Sequence, residues 1–138
     1  MNAKTAYAMT EQVDLTYEEA VQAVTAALGN EGFGVLHTVD VRDIMRQKLE
    51  EEFPPYLILG VCNPALAYML LRNDIEAGLL LPCKVVVRVD PDTDQTIVSV
   101  LDPMAMTDVI GSQGIETVSR LVREKMERVL EEVKGGAK

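Results

Sequence analysis

The sequence predicts a two-layer α+β domain in which a mixed five-stranded sheet carries helices mainly on one face. Strand-like and helix-like segments follow one another in the order β-α-β-α-β-α-β-β-α. Two adjacent strands near the end indicate a hairpin, which makes the sheet mixed rather than wholly parallel. A length of 138 residues is that of one domain and leaves little chain for helices on both faces. We therefore expect a single domain over residues 1–138, with 134–138 as a frayed tail.

The first third of the chain predicts two strands separated by a well-marked helix. Weak alternation over Tyr7–Val13 indicates an edge strand. Thr16 and Glu19 have the spacing of a capping box, in which each side chain bonds the other residue's backbone N–H. The helix that they open carries an apolar stripe and ends near Gly29, since glycine permits positive φ. A second strand follows, and alternation places on one of its faces Phe33, Val35, His37 and Val39.

The middle of the chain is organised around a buried strand, two cysteines and a helix. A helix capped by Asp40 and stopped by a proline pair precedes it. Tyr56–Val61 is an apolar run typical of a strand buried on both faces. Asn63 is a good N-cap and Pro64 suits the first helical position, so a helix begins directly after Cys62. The chain then returns in extended form to the second cysteine.

The last part of the chain predicts a hairpin, a loop and a long helix. Cys83–Val89 and Thr96–Leu101 are its strands, joined by the aspartate-rich turn Asp90–Asp94. A methionine-rich loop over 102–114 leads to a final amphipathic helix. One sheet face stays open, and a partly apolar open face favours a dimer contact or a ligand floor. That face is predicted to hold Lys84, Val86, Arg88, Thr96 and Val98, or the opposite set.

Charge and composition disfavour several classes of partner. The net charge is −9 and basic residues form no cluster, so we expect no binding to nucleic acid or to anionic membranes. No apolar run approaches the roughly 18 residues of a transmembrane helix, and Met1–Thr10 lacks a signal-peptide core. Two cysteines without such a signal indicate the reducing cytoplasm. Because phosphate loops, dinucleotide fingerprints and Cys-x-x-Cys motifs are missing, we expect no cofactor and favour a protein that is not an enzyme.

The candidate ligand or thiol site consists of Cys62, Asn63, Cys83 and His37. Cys62 precedes a helix N-terminus, where the helix dipole favours a thiolate. The cysteines are either small buried hydrophobes, a shared site with redox, sulfur-carrying or metal-binding chemistry, or a disulfide. His37, the single histidine, is either a hydrogen-bonded core or interface residue or a functional one. Two sulfurs and one imidazole do not complete a tetrahedral zinc site, so we assign no metal.

Two paired motifs in this region resemble a known family. Ile58–Ala67 reads Ile-Leu-Gly-Val-Cys-Asn-Pro-Ala-Leu-Ala, and Gly78–Val87 reads Gly-Leu-Leu-Leu-Pro-Cys-Lys-Val-Val-Val. Together with Val100–Met104, these motifs are similar to those of the DUF302 family, except at Val61 and Lys84, where alanine and asparagine are common. The resemblance covers nearly the whole chain. It implies a small α+β fold and a dimer, and it implies no activity, because the family comprises uncharacterised bacterial and archaeal proteins.

The sequence therefore predicts a small dimeric cytoplasmic protein with a binding or accessory role. We expect a homodimer; a small-molecule ligand is compatible with the sequence but not identified by it. The alternative hypothesis is a thiol-based redox, sulfur- or metal-handling protein that uses Cys62 and Cys83. The reactivity of the Cys62 thiol separates the two hypotheses.

Overall fold

The computed structural model describes residues 6–111 and 115–135, and it is built on one antiparallel sheet. The strands are β1 (Ala8–Val13), β2 (Gly34–Asp40), β3 (Tyr56–Cys62), β4 (Cys83–Val89) and β5 (Thr96–Leu101). They are hydrogen-bonded in the order β1-β5-β4-β3-β2, and each neighbouring pair is antiparallel. The α+β class is confirmed, but the predicted mixed sheet is wrong. The helical connections either cross the whole sheet, as between β1 and β2, or return the chain antiparallel to its neighbour.

Five α-helices and one 3-10 helix lie in the described ranges: α1 (Tyr17–Asn30), α2 (Val41–Leu49), α3 (Pro64–Asn73), the 3-10 helix (Ile75–Leu80), α4 (Pro103–Ile110) and α5 (Ile115–Gly135). The sequence predicted four, so α4 and the 3-10 helix are corrections. The 3-10 helix replaces most of the extended return after α3. α4 replaces the start of the predicted loop at 102–114, of which 112–114 lie outside the described residues. The Asp102 side chain accepts a hydrogen bond from the Met104 N–H, and Pro103 occupies the first helical position.

The hydrophobic core lies between one face of the sheet and the helices α1, α3 and α5. The predicted capping box that starts α1 is present, with the Thr16 N–H 3.0 Å from Glu19 Oε1 and the Glu19 N–H 3.1 Å from Thr16 Oγ1. α1 contributes the fully buried Leu28, and α5 contributes Met126 and Val129. The strand residues against which they pack, here called the covered face, are Leu59, Val61, Val85, Val87, Val98 and Val100.

The opposite side of the sheet carries mixed side chains, most of them exposed or half-buried, although Ile97, which lies opposite Arg88, is buried. This open face includes His37, Val39, Ile58, Lys84, Val86, Arg88 and Ser99. Two predictions about faces are wrong. Val98 lies opposite Val87, so the hairpin register moves Thr96 and Val98 to the covered side. A β-bulge between Val35 and His37 breaks the alternation of β2 and places these two side chains on opposite faces.

The C-terminal helix continues beyond its predicted end. α5 extends to Gly135, and the Lys134 ammonium lies 3.3 Å from Glu11 Oε1 on β1. The frayed tail over 134–138 stays a prediction: α5 includes Lys134 and Gly135, and residues 136–138 lie outside the described part of the chain. None of the helices described here is both long enough and apolar enough to cross a membrane.

Candidate functional site

Both cysteines border one small apolar cavity at the start of α3. Its volume is about 30 Å³, and it lies between the adjoining ends of β3 and β4, the first turns of α3 and one face of α5. Apolar side chains form most of its walls, among them Phe33, Leu66, Leu70, Leu81, Val118 and Val122. Cys62 and Cys83 are both half-buried and are free cysteines. The sequence left open whether these residues approach each other, and the structure brings them together.

Strand pairing explains why the two cysteines meet. Val61 lies directly opposite Cys83 on the neighbouring strand, and Cys62 is the next residue. A strand spacing of about 4.8 Å and a rise of about 3.4 Å place the Cα atoms of the two cysteines roughly 6 Å apart. This separation falls within the usual Cα range of disulfides, roughly 4.4–6.8 Å. Because Cys62 is one residue out of register with Cys83, regular alternation would place the two side chains on opposite faces of the sheet. β3 ends at Cys62, however, and the chain turns into α3 there.

Asn63 fixes the turn between β3 and α3. Its Oδ1 accepts a hydrogen bond from the Leu66 N–H at 3.3 Å, which is the predicted N-cap, and its Nδ2 donates to the Glu31 carbonyl oxygen at 3.3 Å. Gly32 lies beside this amide with φ +85°, and a Cβ atom on Gly32 would be 2.9 Å from Asn63 Nδ2. Glycine at position 32 is therefore required both by the backbone conformation and by the close approach of Asn63.

The loop that holds Asn63 is itself attached to α5. Arg128 donates to the Glu31 carboxylate through Nε at 3.1 Å and through a terminal nitrogen at 2.9 Å. This hydrogen bond, together with the positive charges of Arg128 and Lys125, holds the pKa of Glu31 below its usual value. A continuous set of contacts thus runs from α5 through Glu31 to Asn63, and it positions the residue that follows Cys62.

The two thiols have different electrostatic surroundings. Burial raises the pKa of the Cys83 thiol, the neighbouring Cys62 adds to the increase, and Lys84 opposes it. Cys83 is therefore held as a neutral thiol. Cys62 directly precedes the N-cap of α3, where the positive end of the helix dipole favours negative charge. Burial thus makes Cys83 the thiol that is harder to activate, and the position of Cys62 at the start of a helix makes it the candidate for the attacking sulfur.

His37 is not among the residues that line the cavity. It is exposed on the open face, where its imidazole ring lies so close over Gly60 that a Cβ atom there would clash with the ring. Three of the four predicted site residues are therefore brought together and His37 is not. In the ranges 6–111 and 115–135, no group of three or more histidine, cysteine or acidic residues is placed to hold a metal ion.

α5 contributes to the site, which the sequence did not lead us to expect. Val118, Ser119 and Val122 of this helix line the same cavity as the two cysteines. Ser119 is buried and interrupts the apolar stripe of α5, so a polar residue at a core-facing position was the available signal. A second depression of about 710 Å³ runs along β1 and α5, and it is open to solvent and lined by charged residues such as Arg123 and Glu127.

An antiparallel sheet with helices packed on one face defines a two-layer α+β protein, and the paired cysteine motifs define its site. The family model described as "Domain of unknown function DUF302" matches residues 9–133, and the chain belongs to this family. The chain is also similar to the crystal structure of an uncharacterized conserved DUF302 protein from Bacillus stearothermophilus. The two have 24% identity and a TM-score of 0.87, over 94% of this chain and 99% of that one. This likeness shows the fold. Among curated proteins, none matches the sequence.

Proposed function

We propose that the protein acts through reversible thiol–disulfide exchange at Cys62 and Cys83. The observation that carries the proposal is that both residues line one cavity from the adjoining ends of neighbouring strands. Ideal sheet spacing puts their backbone separation, at roughly 6 Å, within the range of disulfides. The sequence analysis gave this role as the alternative to a binding protein. At the cysteines the geometry favours thiol chemistry over ligand binding, because the cavity of about 30 Å³ there is far smaller than the roughly 300–1,000 Å³ of a small-molecule site. The larger depression of about 710 Å³ along β1 and α5 is lined by neither cysteine.

The two cysteines have separate roles in the proposed exchange. The Cys62 thiolate attacks one sulfur of a low-molecular-weight disulfide, so a mixed disulfide forms on Cys62 and one thiolate leaves. Cys83 then loses its proton to solvent and attacks the Cys62 sulfur. The Cys62–Cys83 disulfide forms and the second thiolate leaves, so that two electrons have passed from the protein to the small disulfide. In the reducing cytoplasm, where we place the protein, the pair rests as the dithiol.

The test uses oxidised glutathione and mass spectrometry of the native protein. We expect the wild-type chain to lose two hydrogens as the internal disulfide forms. Cys83→Ser should stop at the mixed disulfide on Cys62, and Cys62→Ser should react slowly or not at all. Iodoacetamide near neutral pH should label Cys62 faster than Cys83, since burial protects the latter. Resistance of both thiols over hours in the folded protein, with labelling only after unfolding, would remove the proposal.

A second candidate is the binding or accessory protein of the sequence analysis, assembled as a homodimer through the open face. Half-buried apolar side chains such as Val39, Ile58 and Val86 support it. A second copy is the natural occupant, because a two-fold axis pairs the same patch on both chains. In the same region of the chain, α2 has no buried residue and leaves Ile44 and Leu49 exposed. A pairing that covers these side chains would remove apolar surface from water.

Light scattering at micromolar concentration tests the dimer. We expect twice the chain mass for the wild type and the single-chain mass for Ile58→Lys, which places a charge at the centre of the open face. Leu121→Lys is the matched control, because Leu121 is an exposed apolar residue on α5, in the other layer of the protein. A wild-type monomer that persists at high concentration would contradict the proposal.

A further inference from the structure

We propose that Cys62 carries a single sulfane sulfur as a persulfide, with the outer sulfur lodged in the cavity beside Cys83. This inference rests on the proposed thiol reactivity of Cys62 and goes beyond exchange with disulfides. It names the substrate class as inorganic polysulfides or small persulfides, and the role as storage and release of one sulfur atom at the protein.

The size of the cavity is the first argument. A volume of about 30 Å³ accommodates one or two water-sized groups, since one such group needs roughly 10–15 Å³ by this measure. A peptide-sized thiol attached to Cys62 would have to remain outside. A lone sulfur atom on Cys62 is of the size that the space admits.

The chemistry of the walls is the second argument. Phe33, Leu66, Leu70, Val118 and Val122 surround the space with apolar groups. Sulfur is soft, polarizable and weakly hydrated, and it packs well against aliphatic and aromatic side chains. The same walls limit the entry of water and of bulky thiols that would remove the outer sulfur. An apolar cavity lined by two cysteine residues thus suits a sulfur atom better than a polar ligand.

The position of Cys83 gives the site a route for release. Loading begins when the Cys62 thiolate attacks a sulfane sulfur of a polysulfide, breaking its S–S bond and expelling the shortened polysulfide as an anion. Cys83 later loses its proton and attacks the inner sulfur on Cys62. The outer sulfur leaves as hydrosulfide and takes up that proton, so that the persulfide and the Cys83 thiol become the Cys62–Cys83 disulfide and hydrogen sulfide. Because burial raises the pKa of Cys83, this second step is slow near neutral pH and the persulfide persists.

The test treats the reduced full-length protein with inorganic polysulfide, removes the excess, alkylates with iodoacetamide and locates added sulfur by mass spectrometry. We expect one extra sulfur on Cys62 in Cys83→Ser, where release is blocked. The wild type should hold that sulfur at first and then lose it slowly as hydrogen sulfide while the internal disulfide forms. Cys62→Ser should acquire none at Cys83.

A variant that fills the cavity separates a lodged sulfur from ordinary surface reactivity. Ser119→Val replaces a hydroxyl group with two methyl groups at the wall of the cavity and suits the apolar stripe of α5. In the Cys83→Ser background it should lower persulfide retention several-fold, and by more than it lowers formation of the mixed disulfide with oxidised glutathione. Circular dichroism confirms that the variant is folded.

Two outcomes would overturn the inference. One is that Cys83→Ser acquires no added sulfur although it forms the mixed disulfide with glutathione, a result that leaves the proposed exchange intact. The other is equal persulfide retention in Cys83→Ser with and without Ser119→Val, which would mean that the cavity has no part in it. Failure of glutathione to react at all would instead contradict the proposed function itself.

Discussion

The two faces of the sheet are made by the same strands but differ in how tightly their side chains are packed. Leu59 and Val85 on the covered face are inaccessible to solvent, whereas Ile58 and Lys84, their neighbours in sequence, lie on the open face and remain partly or largely accessible. Stability is therefore concentrated on one side of the sheet, and sequence change is tolerated better on the other. The cavity lies at the end of the covered side, where β3 stops at Cys62 and the sheet no longer separates the two faces.

The largest expected effect is on unfolding stability when the covered face loses volume. Leu59→Ala should lower the free energy of unfolding by roughly 2–5 kcal/mol, because a buried side chain is removed and a cavity is left. Ile58→Ala, one residue away on the open face, should cost about 1–2 kcal/mol, since only part of its apolar surface is buried. Urea unfolding of dilute protein measures both.

Glu51→Ala is the control, and it should stay within roughly 0.5 kcal/mol because Glu51 is exposed between α2 and β3. Equal midpoints for Leu59→Ala and Ile58→Ala would mean that the open face is as tightly packed as the covered one. In that case a partner copy must cover it at the concentration used.

Short sequence patterns predicted most of the helix starts and apolar faces that form the covered side of the sheet. The capping box of Thr16, the N-cap of Asn63 and the apolar stripe of α5 are short-range signals, and each has the predicted structure. α4 was missed although Asp102 and Pro103 repeat the polar-residue-then-proline signal of Asn63 and Pro64, because the methionine-rich segment was interpreted as a loop. The β-bulge in β2 was also missed, since its cause is pairing with β3 and not composition.

Three residues of the candidate site could be predicted from the sequence, but the cavity that they share with α5 could not. Cys62, Asn63 and Cys83 were identified from a thiol beside a helix start and from a paired motif. The approach of the two cysteines depends on the register of β3 against β4, and the wall of the cavity beside them depends on α5. Both are contacts between segments far apart in the chain. His37 was misplaced for the same reason, because strand pairing sets its face.

The second prediction concerns the glycine that supports Asn63 on the covered side. Gly32→Ala should lower the free energy of unfolding by about 1–2 kcal/mol, since alanine is strained at φ +85° and its Cβ would also displace the Asn63 amide. Gly29→Ala, in the last turn of α1, has no atom within 4 Å of an added Cβ and should be neutral or stabilising by roughly 0.5–1 kcal/mol. Thermal unfolding compares the pair, and equal losses would show that Gly32 has no special role.

The third prediction is a loss of stability at alkaline pH that originates on the covered side. The folded state raises the pKa of Cys83 above its ordinary value of 9.0, so the folded protein holds this proton more tightly than the unfolded chain. The stabilisation is complete below pH 9.0 and is lost as pH rises through the higher folded value. Cys83→Ser should flatten this part of the profile of unfolding free energy against pH.

Tyr17 provides the matched control for that profile. Burial and the charge of Asp40 raise its pKa from 10.0, so Tyr17→Phe should flatten the profile only at higher pH. An unchanged alkaline slope in Cys83→Ser would mean that the cavity is wet and that Cys83 titrates as an exposed thiol does.

The smallest expected effect is on the open face, at Gly60. A Cβ atom there would clash with the His37 ring, but that ring is exposed on an edge strand and can rotate into solvent, unlike the Asn63 amide over Gly32. Gly60→Ala should therefore change the free energy of unfolding by no more than about 0.5 kcal/mol. Nuclear magnetic resonance should detect the moved ring as shifted His37 signals. If Gly60→Ala instead destabilises as much as Gly32→Ala, and adding His37→Ala restores the loss, then the His37 ring is held in place. The open face would then be packed in solution, as a dimer interface requires.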